Sequence, residues 1–250
     1  MTGFKDYFSG VSSSYRDFRP HYPEQLFAHL ADIAPSCSTA WDCATGSGQA
    51  ARLLVRHFDR VIATDASASQ IKNAETAERV TYRVESAEST GIESGTVDLV
   101  TVAQALHWFD LPAFEEEVRR VCKPNAVLAI WSYAILQSKP PVDKVIEKIY
   151  NGILGNYWTE ERRIVDQGYK DVFFPFEVLE SPYFGMRAQW SLDHMLGYLS
   201  TWSAAKRYKD RNGEDPIALI ADELTHAWGD PRSRLDVSWP LTVKLWRVAP

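Results

Sequence analysis

The chain of 250 residues has few cysteines and no excess of basic charge. Its three cysteines, Cys37, Cys43 and Cys122, are an odd number without the spacing of a metal site. This usage excludes a disulfide-dense scaffold and is typical of reduced intracellular proteins. Lys and Arg number 27 against 33 Asp and Glu, a formal net charge of −6. Such a balance disfavours nucleic acid as a partner, because binding a phosphate backbone needs a basic face.

Long apolar runs are also missing. The longest near-apolar stretch, residues 126–136, is shorter than the roughly 20 residues that a membrane helix needs. The chain opens without the basic and then apolar pattern of a secretory leader. We therefore expect a cytoplasmic protein without a membrane partner. The six histidines show no ligand spacing, so the sequence predicts no metal site.

What is present is an ordinary globular composition, with 45% hydrophobic and 24% charged residues. A chain of this length and composition predicts one domain over residues 1–250. Nine Trp, eleven Tyr and eleven Phe are many, and they suggest cavities lined by aromatic rings.

Strand and helix patterns alternate through the middle of the chain. Ser67 and Asp110 stand where N-caps belong, each ahead of a helical pattern. This alternation predicts a parallel sheet with right-handed crossovers. The later pattern at residues 241–248 alternates as an antiparallel or half-exposed strand does. The predicted strands of the parallel part are residues 39–44, 61–64, 80–84, 97–102 and 126–132.

A glycine-containing turn follows the first predicted strand and opens the next helix. Gly46 and Gly48 allow a sharp turn and a close approach of the backbone to a ligand. Asp65 ends the following strand, where a carboxylate can accept both hydroxyl groups of a ribose. A tight structural turn would account for the glycines alone. Together with Asp65, they predict a site for a nucleoside cofactor at the carboxyl edge of the sheet.

Two nucleoside cofactors fit this pattern. Residues 46–51 match the G-x-G-x-x-A fingerprint of dinucleotide-binding proteins. Asp42, however, lies four residues before Gly46 within a strand that should be apolar. An anion there suits a cationic ligand better than a pyrophosphate. S-adenosylmethionine carries both a sulfonium and an ammonium group, so Asp42 favours it.

Residues 42–48 resemble the first motif of the class I S-adenosylmethionine-dependent methyltransferases, acidic-x-Gly-x-Gly-x-Gly, with Ala44 in place of the first glycine. Residues 85–88 and 97–100 resemble the family's third and fourth strand motifs. The stretch from Gln104 to Asp110 resembles the Ala-x-His-Trp-Phe signature of a subgroup that includes trans-aconitate-methyltransferase-like proteins, and residues 15–23 resemble that subgroup's N-terminal cap. The resemblance spans roughly residues 7–248.

The resemblance implies a fold and a division of the chain. The expected fold is Rossmann-like and doubly wound, a mostly parallel seven-stranded sheet with an antiparallel C-terminal strand and helical insertions that cap the acceptor. The single domain then comprises an N-terminal cap (1–36), a cofactor-binding core (37–133), acceptor-side insertions (134–171 and 183–236) and the final strand (237–250).

The resemblance also implies site residues. Ser86 takes the place of an aspartate that accepts from the adenine amino group, and the Ala87 backbone N–H faces the ring. Tyr15 would cover the sulfonium, and Arg16 or Arg19 would pair with an acidic acceptor. The cofactor-binding set is Asp42, Ala44, Gly46, Gly48, Asp65, Ser86, Ala87, Gln104 and Tyr15. The substrate-binding set is Arg16, Arg19, Tyr22, Trp108, Trp131 and Tyr133.

His107 is the candidate catalytic residue, because imidazole titrates near neutral pH and can act as a general base. The alternative is a hydrogen-bonded histidine that only positions the turn. Trp108, Trp131 and Tyr133 could line the acceptor pocket or simply pack in the core. Arg16 and Arg19 could bind the acceptor or lie on a solvated surface helix.

The leading hypothesis is an enzyme that transfers a methyl group from S-adenosylmethionine to a small-molecule acceptor, with a carboxylate oxygen of a small organic acid as one candidate. The alternatives are an NAD(P)-dependent oxidoreductase of Rossmann type and a non-catalytic cofactor-binding module. The expected state is a monomer or a homodimer.

Overall fold

A computed structural model describes residues 18–248 of the chain. Within this range the strands are β1 (Thr39–Cys43), β2 (Arg60–Asp65), β3 (Val80–Val84), β4 (Val97–Ala103), β5 (Cys122–Tyr133), β6 (Glu177–Leu179), β7 (Met186–Trp190), β8 (Leu235–Trp239) and β9 (Leu241–Arg247). The α-helices are α1 (Glu24–Ile33), α2 (Gln49–Leu54), α3 (Ala68–Lys72), α4 (Leu111–Val121), α5 (Pro140–Glu147), α6 (Arg162–Asp166), α7 (Leu192–Ser200), α8 (Ser203–Asn212) and α9 (Ala221–Trp228).

Seven strands form one sheet in the order β3-β2-β1-β4-β5-β9-β6. The pairs from β3 to β5 are all parallel, whereas β9 runs antiparallel to both β5 and β6. This is the Rossmann-like, mostly parallel sheet that the sequence predicted, and the antiparallel C-terminal strand is confirmed. The strand order reverses direction between β1 and β4, and open α/β sheets bind ligands at such a switch point.

Residue type explains why these segments form these elements. Strand β1 is buried along its whole length, as a parallel strand covered on both faces must be. The predicted N-caps are confirmed. The side chain of Ser67 accepts a hydrogen bond from the backbone N–H of Gln70 at 3.4 Å, and that of Asp110 accepts from Ala113 at 3.3 Å.

The sheet separates two apolar layers. One layer contains α1 with Leu26, Phe27 and Leu30, and the other contains α4 with Phe114 and Val118. The loops after β1 and β4 lie at the carboxyl edge of the sheet, next to the switch point.

Three features depart from the sequence expectations. Strand β5 begins at Cys122, four residues before the expected start, because Cys122 pairs with Val97 ahead of a register shift in β4. Strands β7 and β8 form a separate antiparallel pair that was not predicted, since each is five residues long and its partner is distant in sequence. Residues Lys148–Ile153 continue α5 as a π-helix.

No helix among residues 18–248 combines the length and the apolar character that crossing a membrane requires.

Candidate functional site

The loop after β1 is held in a left-handed backbone conformation at three alternate residues. The φ angles are 53° at Ala44, 57° at Gly46 and 84° at Gly48. A Cβ on Gly46 would meet no atom within 4 Å, so open space lies beside this residue. A Cβ on Gly48 would instead overlap the Tyr82 hydroxyl. Gly46 therefore leaves room for a ligand, whereas Gly48 makes room for the protein's own packing.

Ala44 occupies the position of the family's first glycine and keeps the left-handed φ that a glycine would adopt freely. An L-residue in this region costs roughly 1–2 kcal/mol. Strain of this kind concentrates at sites that bind ligands. Gln104, which follows β4 at the same edge of the sheet, is also left-handed, with φ of 58°.

Asp65 at the end of β2 joins the loop after β1 to the start of α3 through hydrogen bonds. Its two carboxylate oxygens accept hydrogen bonds from the backbone N–H of Gly46 at 2.9 Å and of Ser67 at 2.8 Å. Asp65 thus fixes the glycine loop and also lies where the sequence predicted a ribose contact.

Asp42 is buried beneath the same loop. Thr45 Oγ1 donates to one carboxylate oxygen at 2.5 Å and Thr101 Oγ1 to the other at 2.9 Å. Burial raises the pKa of Asp42 to about 6, although these two hydrogen bonds oppose the rise. A carboxylate that is costly to ionise gains from a nearby cation. The environment of Asp42 therefore fits a cationic cofactor such as S-adenosylmethionine.

Ser86 and Ala87, the predicted adenine contacts, follow β3 at this edge of the sheet. Ser86 forms an isolated antiparallel bridge with Ser89. Ala87 is buried among apolar residues. Nothing in these contacts tests the adenine role, which stays a prediction.

Gln104 connects β4 to β5. Its backbone N–H donates to the carbonyl of Trp131 at 2.9 Å, and its side-chain amide donates to the carbonyl of Tyr133 at 3.2 Å. The strained residue after β4 thereby fixes the end of β5, which carries the predicted acceptor-side aromatic residues. Its cofactor role stays a prediction.

His107 lies in a short 3-10 helix, Leu106–Trp108, that follows Gln104. Its Nδ1 is 3.1 Å from the hydroxyl oxygen of Tyr169, and its ring packs against Trp108 with centroids 4.6 Å apart. Burial lowers the pKa of His107 to about 4, and the positive charge of Arg162 adds to the shift. The imidazole is therefore neutral at physiological pH.

The described part of the predicted N-terminal cap crosses the same edge of the sheet. Gln49 at the start of α2 donates to the carbonyl of Pro20 at 2.8 Å. Arg19 donates to the Tyr133 hydroxyl at 3.1 Å, and its guanidinium lies 5.9 Å from the centre of the Tyr198 ring. Residues 18–23 thus extend from the helix after the glycine loop to the end of β5. Tyr15 and Arg16 lie outside the described residues.

The remaining predicted substrate contacts differ in their burial. Tyr22 packs edge-on against Trp131, with ring centroids 5.5 Å apart, and 6.4 Å from Tyr133. Trp131 has no exposed surface and also packs against Phe27, so it supports Tyr22 from within the core. Tyr133 is the member of this group that contacts Arg19.

The insertions contribute residues that the sequence did not single out. Arg162 Nε donates to the Tyr150 hydroxyl at 3.1 Å and to Asp166 at 3.0 Å, and its guanidinium lies 5.2 Å from the centre of the Trp158 ring. Tyr198 is buried and contacts the indole N–H of Trp239 at 3.4 Å. The aromatic-rich composition was the only sequence signal for them. The set found only in the structure is Tyr150, Trp158, Arg162, Tyr169 and Tyr198.

Residues 18–248 contain no group of three or more His, Cys, Asp or Glu side chains placed to hold a metal ion. At this edge of the sheet, the structure places the glycine loop, the carboxylates of Asp42 and Asp65, and the contact between Arg19 and Tyr133.

Known proteins are similar to this chain in sequence and in structure. A family model described as a methyltransferase domain matches residues 41–130. A protein of Dictyostelium discoideum named as a methyltransferase is 36% identical over 248 residues, which cover 96% of this chain and 94% of that protein. An uncharacterised methyltransferase of Schizosaccharomyces pombe is 29% identical over 203 residues, with 78% of each chain covered.

Among solved structures, one described as a type II methyltransferase from Anaeromyxobacter dehalogenans is similar with a TM-score of 0.87 and 44% identity. The match covers 93% of this chain and 99% of that one. The match therefore extends well beyond the parallel core.

Proposed function

This chain belongs to the class I S-adenosylmethionine-dependent methyltransferases, and we propose that it methylates a carboxylate oxygen of a small organic acid. The observation that carries the acceptor class is Arg19, whose guanidinium is held by Tyr133 and Tyr198 on the acceptor side of the site. Arginine binds carboxylates through paired, charge-assisted hydrogen bonds.

The cofactor residues in this proposal are those at the ends of β1 and β2. Gly46 leaves open space for the cofactor, Asp65 accepts from the ribose, and buried Asp42 favours the cationic groups. Gly48 and Ala44 set the loop conformation, and Ser86, Ala87, Gln104 and Tyr15 complete the proposed set. When bound, S-adenosylmethionine supplies a methyl group already activated by its sulfonium.

The protein's remaining task is to hold and desolvate the acceptor. Arg19, with Arg16 as a second candidate, binds an acid group that is not methylated. Tyr22, Tyr133 and Trp108, backed by Trp131, exclude water from the reacting groups, which strengthens the electrostatic interactions there. Fixing the acceptor oxygen in line with the methyl group is the main source of acceleration for such a transfer.

The division of the chain follows from these roles. We assign residues 37–133 to cofactor binding, with the segments 1–36, 134–171 and 183–236 on the acceptor side and the final strand at 237–250. The oxidoreductase and non-catalytic alternatives are not favoured, because the matching family model and the relatives reported above are all described as methyltransferases.

The test is transfer of a labelled methyl group from S-adenosylmethionine to a panel of small acids, with neutral alcohols and amines alongside. The panel contains benzoate, malonate, succinate, glutarate, citrate and trans-aconitate. We expect turnover of one or more acids, and a loss of at least tenfold in kcat/KM in Arg19→Gln with unchanged affinity for S-adenosylhomocysteine. The matched control is Arg56→Gln, which removes an exposed arginine paired with Glu24. Turnover confined to neutral acceptors would refute the carboxylate assignment.

A further inference from the structure

Tyr169 is placed beside His107 by an unusual backbone conformation. The residue follows α6 with a φ of 56°, which non-glycine residues seldom adopt, and its side chain is almost completely buried. Its ring lies roughly parallel to the imidazole, and the 3.1 Å contact joins its hydroxyl oxygen to His107 Nδ1. The unusual backbone conformation of Tyr169 thus accompanies a direct contact between its hydroxyl and one ring nitrogen of His107.

The position of the protons in this contact follows from burial. Burial raises the pKa of the Tyr169 phenol, so the hydroxyl keeps its proton at neutral pH. A buried hydroxyl proton without an acceptor is unfavourable, and His107 Nδ1 is the acceptor within reach. If Nδ1 accepts, the single proton of the neutral imidazole resides on Nε2.

The second ring nitrogen is accessible. Among the described residues, His107 Nε2 forms no hydrogen bond. The fully buried side-chain atoms without a hydrogen bond do not include it, so this nitrogen keeps some exposed surface. The charged groups that act on the ring are Arg162, which opposes protonation, and Glu161, which favours it weakly. Arg162 therefore places a positive charge near the ring that carries this N–H.

We propose that Tyr169 is a positioning residue that fixes His107 as a hydrogen-bond donor through Nε2–H, and that this donor, together with Arg162, binds an anionic oxygen of the acceptor. This inference rests on the proposed acid acceptor, and it replaces the general-base role with a binding role. Transfer of a methyl group to a carboxylate oxygen would move no proton. The oxygen already carries the electron pair that forms the new C–O bond, and the electron pair of the broken S–C bond stays on the sulfur, which leaves as a neutral thioether. We expect the Nε2–H group to bind an acid oxygen that is not methylated, because a hydrogen bond to the attacking oxygen would lower the nucleophilicity of that oxygen.

The first test measures the tautomer and needs no acceptor. Long-range nitrogen–proton NMR correlation spectra distinguish protonated from unprotonated ring nitrogens, and a His107→Gln spectrum assigns the His107 signals among the six histidines. We expect a proton on Nε2 alone between pH 5.5 and 8 in the wild type, and a mixture of tautomers in Tyr169→Phe. A proton on Nδ1 alone, or a doubly protonated ring at pH 7, would overturn the proposal even if methyl transfer to acids is confirmed.

The second test uses two replacements that differ in where they place an N–H. The amide nitrogen of Gln can occupy the position of Nε2, whereas Ala supplies no donor. We expect His107→Gln to keep kcat/KM for the best acid of the panel within about tenfold, and His107→Ala to lose at least a further tenfold, mostly through KM. Equal losses in both variants would exclude a donor role.

A third measurement separates this proposal from the proposed function. In the presence of S-adenosylhomocysteine, titration with succinate and citrate should shift the Nε2–H signal of the wild type. The same titration should leave the signal of His226 unchanged, because this histidine is exposed on α9. An unshifted Nε2–H signal with an acid that is turned over would contradict binding at His107 while leaving the methyltransferase function intact.

Discussion

The proposed cofactor side and the proposed acceptor side of the site are built in different ways. On the cofactor side, Asp42, Thr45 and Asp65, which hold the glycine loop, lie within 24 residues at the ends of neighbouring strands. On the acceptor side, Arg19, Tyr133 and Tyr198 come from three distant parts of the chain. A short motif can therefore identify the first side, whereas the second exists only once the chain has folded.

The largest expected effect tests the cofactor side alone. Gly46→Val places a branched side chain in the open space beside the loop and forces it into a left-handed φ. We expect S-adenosylhomocysteine to bind at least about a hundredfold more weakly, or roughly 2.7 kcal/mol, by calorimetric titration. The control is Gly95→Val, because Gly95 has a similar φ of 68° and similar open space but lies in the turn before β4, away from the glycine loop. Equal binding by Gly46→Val and wild type would remove the loop from the site.

Asp65 should show a smaller effect of mixed origin. Asp65→Ala removes the acceptor for the Gly46 and Ser67 N–H groups as well as the proposed ribose contact. We expect a loss of about 1.5–3 kcal/mol in S-adenosylhomocysteine affinity and a lower melting temperature. Asp65→Asn retains one oxygen acceptor and should lose less of both. An unchanged affinity for S-adenosylhomocysteine in Asp65→Ala would show that Asp65 does not bind the ribose.

Asp42 should link cofactor charge, stability and pH. Its pKa of about 6 in the folded protein lies above the unfolded value, so the folded state holds this proton more tightly. The free energy of unfolding therefore falls as pH rises from about 4 to about 6. Asp42→Asn removes that dependence, and we expect it to be more stable than wild type by about 1–3 kcal/mol at pH 7.5 but not at pH 4.

The same variant should weaken cofactor binding. If the carboxylate favours the sulfonium, Asp42→Asn loses more affinity for S-adenosylmethionine than for S-adenosylhomocysteine, whose thioether is neutral. Chemical unfolding at the two pH values and calorimetry with both ligands check the two expectations. A variant less stable than wild type at pH 7.5 would show that the buried charge is fully compensated.

Tyr133→Phe tests the acceptor side in turn. It removes the hydroxyl that accepts from Arg19 and leaves the ring packing intact. We expect KM for an acid substrate to rise about 2–10-fold, since such a bond contributes about 0.5–1.5 kcal/mol. The affinity for S-adenosylhomocysteine should not change. A loss of cofactor affinity would mean that the two sides are coupled through β5.

The smallest effect is expected at Ala44. Replacing it with Gly relieves the left-handed alanine but increases the flexibility of the unfolded chain. We expect a net gain of about 0.5 kcal/mol in unfolding free energy, measured by denaturant titration. Destabilisation would indicate that the alanine methyl group contributes packing that outweighs its strain.

The same contrast explains how much the sequence predicted. Gly46, Asp65 and the N-caps at Ser67 and Asp110 follow from local rules, and the structure has each of them in the expected element. The parallel strands were predicted because buried, apolar runs alternate with helices. The seven-stranded sheet with an antiparallel final strand came from the family resemblance, and the structure confirms it.

Other features depend on contacts that sequence spacing cannot specify. Arg162 resembles any surface arginine until Tyr150 and Trp158 surround it. The neutral state of His107 depends on burial and on Arg162, so its motif alone suggested a base. Strands β7 and β8 pair across more than forty intervening residues, and neither is long enough to stand out by periodicity.

The position of β9 between β5 and β6 has a consequence for how the sheet is completed during synthesis. The outer edge of β5 gains its partner only when residues 241–247 are made, about 110 residues after Tyr133. At about 5–20 residues per second, a ribosome needs roughly 6–20 s for that stretch. For this interval β5 presents unpaired backbone groups, and such an edge can pair with another chain. Nascent chains of this protein are therefore exposed to misassembly late in translation, and β6 cannot join the sheet until β9 has arrived.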